Sequence, residues 1–87
     1  GQKQKAAEYV GKVWKTASQY LSYYLSLDAN RFAQAQNDCI RQIMIMQSTC
    51  EVASMVDQKT AKKYEDQLNK LYTLYHGRGG QMPNAGN

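Results

Sequence analysis

Apolar residues return every three or four positions through residues 12–76, and this stretch contains neither glycine nor proline. Such spacing places apolar side chains on one side of an α-helix, whereas a half-buried strand requires strict alternation. Glycine and proline occur only near the two ends of the chain, where they interrupt regular structure. The pattern therefore predicts an all-α protein.

The first predicted helix covers about residues 4–27. Its apolar stripe follows a three-four repeat: Val10, Val13, Ala17, Tyr20, Tyr24 and Leu27. A turn is expected over residues 26–30, since the carboxylate of Asp28 can accept hydrogen bonds from the free amides that begin the next helix. The second stripe consists of Phe32, Gln36, Cys39, Ile43, Met46, Cys50 and Ala53.

The second helix boundary is predicted between Ser54 and Gln58, with Asp57 or Thr60 as the cap of the last helix. One continuous helix over residues 29–76 is the alternative. The last stripe consists of Ala61, Tyr64, Leu68, Leu71 and Tyr75, and a left-handed Gly77 is expected to end the helix. The prediction is an antiparallel, up-down-up three-helix bundle over residues 1–76, followed by a flexible tail over residues 77–87.

The small size of the chain points to a protein partner or to self-association. A chain of 87 residues has a small core, and its seven tyrosines suit surfaces that are dry on one side. The run Ile43, Met44, Ile45 and Met46 is apolar on all sides of its helix, while Tyr23 and Tyr72 lie off their stripes near one end of the bundle. These six residues are the predicted protein interface. The alternative is that the run is the most buried part of the bundle and that the tyrosines are ordinary boundary residues.

The net charge of +4 favours anionic partners. Parallel first and third helices would bring their lysine-rich beginnings to one end, which predicts a basic pole formed by Lys12, Lys15, Lys59, Lys62 and Lys63. Such a pole could bind an anion or nucleic acid, although solvated lysines are the commoner case. No membrane span is expected, because the longest uncharged run is residues 16–27, well short of the required ~20 apolar residues.

Cys39 and Cys50 lie eleven residues apart on one predicted helix, too distant along its axis for a disulfide within that helix. Two buried free thiols are favoured. A disulfide to a second chain in an antiparallel dimer, or one formed within the chain across a helix kink, is the alternative. Two cysteines and one distant histidine do not supply the four ligands of a zinc site, so no metal or other cofactor is expected.

His76 is the only histidine and has no nucleophile motif near it, so we predict no catalytic residues and no enzyme activity. The leading prediction is a non-enzymatic protein-interaction or assembly module, a subunit or adaptor of a larger complex. The alternatives are a small basic nucleic-acid-binding protein and, third, an inhibitor or immunity-type protein. The chain begins with Gly1 rather than methionine, which suggests either a processed mature form or an excised fragment.

Overall fold

The computed structural model describes residues 1–83 and places four helices in them. They are α1 (Gln2–Leu25), α2 (Ala29–Gln34), α3 (Gln36–Val56) and α4 (Gln58–Gly77). The all-α prediction is confirmed, and the described residues contain no strand. None of these helices combines the length and the apolar character that crossing a bilayer requires.

Aspartate side chains cap the N-termini of two of the helices. Asp28 accepts a hydrogen bond from the backbone N–H of Arg31 at 2.9 Å and caps α2. Asp57 is the single residue between α3 and α4, and its carboxylate accepts from the backbone N–H of Lys59 at 3.1 Å and from the Thr60 hydroxyl at 2.8 Å. The break therefore falls between Ser54 and Gln58, as the capping pattern predicts.

The second predicted helix is divided at Ala35 into α2 and α3. Ala35 donates its N–H to both the Arg31 and the Phe32 carbonyls, with φ −94° and ψ 8°, so the chain makes a tight turn there without glycine or proline. The bend lets the buried Phe32 meet the ring of Tyr75 edge-on, with 5.8 Å between centroids. Ala35 itself is buried at the bend.

Helix α3 is the centre of the bundle, packed against α1 on one side and against α4 on the other. At one end Val10, Ala53 and Ala61 form a small apolar cluster. At the other end Leu21, Cys39 and Tyr75 belong to the main core. Residues early in α1 and α4 thus meet residues late in α3, so α1 and α4 run parallel to each other and antiparallel to α3.

The buried side of α1 is rotated from the predicted stripe. Its buried residues are Val10, Trp14, Ala17, Ser18 and Leu21. The cause is Trp14, whose ring stacks on Tyr64 of α4 at 4.2 Å between centroids and whose indole N–H donates to Gln67 at 2.8 Å. Contact with α4 rotates α1 about its axis. Val13 and Tyr20, which the sequence places in the core, therefore lie on the side of α1 that faces away from α4 and is open to solvent.

Residues 78–82 make contacts with the bundle, whereas the sequence predicts a flexible tail from residue 77. Residues 84–87 of the predicted tail lie outside the described part. Helix α4 continues through Gly77, and the left-handed glycine is Gly79, with φ 88°. The next residue, Gly80, is buried against the Tyr75 ring. The Tyr75 hydroxyl donates to the Gln81 carbonyl at 2.8 Å, and Met82 packs on the core.

Arg78 joins this C-terminal segment to the turn that follows α1. Its guanidinium donates to the Leu25 carbonyl at 2.9 Å and to the Leu27 carbonyl, and it lies 4.5 Å from the centroid of the Phe32 ring. The contact satisfies the last carbonyl of α1, which no later residue of that helix can bond, and one carbonyl of the turn that follows. The Arg-Gly-Gly unit thus connects the C-terminal ends of α1 and α4, which lie at the same end of the bundle.

Candidate functional site

An open apolar groove lies between α1 and α3. We call it the α1–α3 groove and define it by its main lining residues on α1 (Tyr9, Lys12, Val13, Thr16, Tyr20, Tyr23) and on α3 (Arg41, Gln42, Met44, Ile45, Ser48, Val52). Three adjoining depressions form it; the first two lie between α1 and α3, and the third extends them along α1 alone. The first two, each about 390 Å³, share Val13 and Ile45, and the second and third share Thr16 and Tyr20. The groove is therefore continuous along most of α1.

Exposed apolar side chains are concentrated on this groove. Seven large apolar residues are strongly exposed in the described chain, and five of them line it: Tyr9, Tyr20, Tyr23, Met44 and Val52. Tyr9 is 70% exposed and Met44 is 55% exposed. Scattered apolar residues are normal on protein surfaces, but a contiguous patch in a concave site is typical of a binding surface.

The charged residues that line the α1–α3 groove are Lys12 and Arg41, and both are basic. Arg41 pairs with Asp38 one turn earlier at 3.2 Å, in an exposed geometry. Lys12 has no ion pair within residues 1–83. Thr16, Gln42 and Ser48 add neutral hydrogen-bonding groups to an otherwise apolar surface.

The structure divides the predicted run in α3 between the core and the groove. Ile43 and Met46 have no exposed surface and belong to the core of the single chain. Met44 and Ile45 line the α1–α3 groove. The run is apolar on all sides because its inner half packs within the bundle while its outer half lies at the open edge of the bundle.

The two predicted interface tyrosines have different surroundings. Tyr23 is exposed, lines the α1–α3 groove and packs edge-on against Tyr24. Tyr72 is half-buried on α4 and its ring lies 4.5 Å from the His76 ring. Tyr23 and Tyr72 make no ring contact with each other in the described chain. Only Tyr23 belongs to the groove.

The predicted basic pole is spread over two helices whose beginnings lie at the same end of the bundle. Lys12 and Lys15 on α1 and Lys59 and Lys63 on α4 are exposed. Lys62 is also exposed and pairs with Asp66 at 3.2 Å, so its charge is partly neutralised. The structure brings the two helix beginnings together through the Val10, Ala53 and Ala61 cluster.

Both cysteines are free, and they differ in access. Cys39 is completely buried in the core, and burial followed by the charge of Asp38 raises the pKa of its thiol. Cys50 is half-buried, and burial followed by the charge of Glu65 raises its pKa. Raised pKa values keep both as thiols, which react slowly. No group of three or more His, Cys, Asp or Glu side chains in residues 1–83 is placed to hold a metal ion.

Sequence reasoning missed Tyr9, Val13, Tyr20 and Val52 as residues that line the α1–α3 groove. Tyr9 and Val52 belonged to no predicted stripe, while Val13 and Tyr20 were assigned to the core. The available signal was an apolar surface on α1 wider than one neighbour can cover, since the residues flanking its stripe are apolar too. Periodicity alone does not tell which edge of such a surface stays open.

Comparison of the chain with protein-family models, with curated proteins and with solved structures found no match. The site therefore has to be interpreted from its own geometry.

Proposed function

We propose that this protein is a non-enzymatic protein-interaction or assembly module, a subunit or adaptor that binds its partner through the α1–α3 groove. The observation that supports the proposal is the concentration of exposed apolar side chains in this one continuous groove. Covering the groove would remove apolar surface from water, which is the dominant favourable contribution to most protein association. A small helical domain with such an open face is suited to binding a protein rather than to catalysis.

The arrangement of the bundle supports the same proposal. Helix α4 covers one side of the α1 and α3 pair through Trp14, Tyr64 and Leu68, while the opposite side of that pair is the groove. Tyrosine and methionine dominate the exposed part of the groove, and both residue types are enriched at protein interfaces. Rigid aromatic rings supply contact area with little loss of conformational entropy on binding.

Site-specific photo-crosslinking tests this function. A benzoyl-phenylalanine placed at Tyr20, inside the groove, should yield a discrete crosslinked product in the cells that make the protein. The same probe at Leu74 is the matched control, since Leu74 is equally exposed but lies on α4 away from the groove. Equal crosslinking at both positions, or none at Tyr20 and at a second groove position such as Met44, would contradict the proposal.

A second candidate function, nucleic-acid binding, draws support from the basic pole, because the lysine-rich beginnings of α1 and α4 lie at one end of the bundle. Phosphate contacts release counterions, so affinity should fall steeply with salt, with a log–log slope of about four to six for the lysines engaged. Replacing Lys15, Lys59 and Lys63 by glutamine, which leaves the groove unchanged, should flatten the slope. Salt-sensitive binding that ignores changes in the groove would favour this function over the first.

Self-association remains a prediction. The sequence predicts self-association because the run Ile43 to Met46 is apolar on all sides of its helix. Ile43 and Met46 are buried within the single chain, so these two side chains need no second copy to cover them. The remaining exposed residues in that run, Met44 and Ile45, lie in the groove. Molecular mass in solution over a range of concentrations, with and without reductant, tests for a homo-oligomer and for an intermolecular disulfide.

A further inference from the structure

We infer that the occupant of the α1–α3 groove is one amphipathic α-helix of another protein, about four turns long, with acidic residues beside its apolar face. This inference rests on the proposed function and names the partner's chemistry. Three properties of the groove support it: its shape and length, the sign of its charged lining, and the absence of any acidic residue among the residues that line it.

The shape of the groove fits a helix. From Tyr9 to Tyr23 along α1 the rise is about 21 Å, the length of an α-helix of about 14 residues. The groove lies between two antiparallel helices, and a third helix laid along it would pack in the way that bundle helices pack. An added strand would find no partner, because the backbone amides and carbonyls of α1 and α3 are already bonded within their helices.

The charge of the lining indicates an acidic partner. Lys12 and Arg41 are the charged residues that line the groove, and neither is fully neutralised by its neighbours. The pair between Arg41 and Asp38 is exposed, and such pairs contribute little, so Arg41 can turn towards a new carboxylate. Lys5 lies seven residues before Lys12 on the same side of α1, with Glu8 between them, and neither lysine forms an ion pair within residues 1–83. A helix with Glu or Asp flanking its apolar face would place these carboxylates beside Lys12 and Arg41.

The same charges argue against a second copy as the occupant. A two-fold symmetric interface brings the same patch of both chains together, so each basic edge would meet the other copy's groove. The groove lining contains no acidic side chain to complement it. Like charges facing each other without partners oppose association. Charge complementarity therefore favours a different, acidic chain.

Selection from a displayed peptide library tests the inference. The library encodes helical peptides of about 14 residues whose apolar positions repeat every three or four residues, and whose flanking positions are drawn equally from Glu, Gln and Lys. Peptides are selected on the wild-type protein and counted again on Met44→Glu, which places a charge at an exposed point of the groove. Leu74→Glu adds the same charge at an equally exposed point off the groove and is the matched control.

We expect enriched peptides to carry Glu at their flanks. Their affinity should fall about tenfold or more on Met44→Glu and on Lys12→Glu, and should stay within about twofold on Leu74→Glu. Circular dichroism should show that these peptides are helical when bound.

Three results would overturn the inference. If the enriched peptides depend on the groove but are neutral or basic at their flanks, the acidic helix is wrong while the proposed function stands. If no peptide depends on the groove, the helical occupant is wrong, and crosslinking at Tyr20 decides the proposed function separately. If the protein dimerises at micromolar concentration and Met44→Glu abolishes the dimer, the occupant is a second copy.

Discussion

Replacing Gly80 by alanine should destabilise the protein, and the structure supplies the reason. Gly80 is buried against the ring of Tyr75, and a Cβ built on it would lie less than 3.0 Å from three atoms of that ring. The ring cannot withdraw easily, because Tyr75 has no exposed surface and packs edge-on against Phe32. The added methyl group must therefore shift the core or detach residues 78–83 from the bundle.

Two routes bound the size of the effect. Overpacking a well-filled core costs about 1–3 kcal/mol. Detaching the segment instead would break the hydrogen bond from the Tyr75 hydroxyl to the Gln81 carbonyl and the two bonds from Arg78, each contributing roughly 0.5–1.5 kcal/mol. The first route gives a loss of about 1–3 kcal/mol in the free energy of unfolding, and the second a loss of about 1.5–4.5 kcal/mol. For a domain of this size, a loss of about 2 kcal/mol lowers Tm by roughly 8–16 °C.

Gly77→Ala is the matched control, because it makes the same chemical change three residues earlier. Gly77 ends α4, its φ is not positive, and nothing lies within 4 Å of the place where its Cβ would be. Alanine is the better helix former, so this variant should be neutral or more stable by up to about 1 kcal/mol. Urea unfolding followed by far-UV circular dichroism measures both variants. If Gly80→Ala is as stable as Gly77→Ala, the C-terminal segment is not packed on Tyr75 and the reasoning fails.

Three further predictions concern the core, the cysteines and the stability of the protein at low pH. Ile43→Asp should unfold the single chain rather than merely dissociate a complex, since a charge buried in the core without a partner costs several kcal/mol; a folded monomeric variant by circular dichroism would contradict this. Cys39→Ala should cost about 1–2 kcal/mol with or without reductant, and a thiol reagent should label Cys50 before Cys39, so faster labelling of Cys39 counts against its burial. Hydrogen bonds from the Thr60 hydroxyl and then from the Lys59 N–H lower the pKa of Asp57 below its ordinary 3.8. The stability that the ionised cap contributes is therefore present above pH 3.8, and it is lost as the pH falls through the lower pKa of Asp57 in the folded protein. Urea unfolding should show that the difference in free energy of unfolding between wild type and Asp57→Asn shrinks from neutral pH to well below 3.8, and a constant difference would contradict the lowered pKa of Asp57.

The sequence alone determined the helices and most of their boundaries, because these depend on residues close together along the chain. The three-four repeat predicts helical segments, and the carboxylates of Asp28 and Asp57 bond to amides only two or three residues ahead. Such local geometry needs no knowledge of the rest of the fold. The tight turn at Ala35 went unpredicted, since neither glycine nor proline accompanies it.

Only the tertiary structure decided which apolar residues are covered and which remain open. The repeat on α1 allows several faces to be buried, and the contact of Trp14 with Tyr64 selects one, which leaves Val13 and Tyr20 at the α1–α3 groove. The docking of Arg78 onto carbonyls more than fifty residues earlier is equally invisible to a local pattern. Periodicity shows which faces of a helix are apolar, whereas the packing of distant segments decides which of these faces another helix covers.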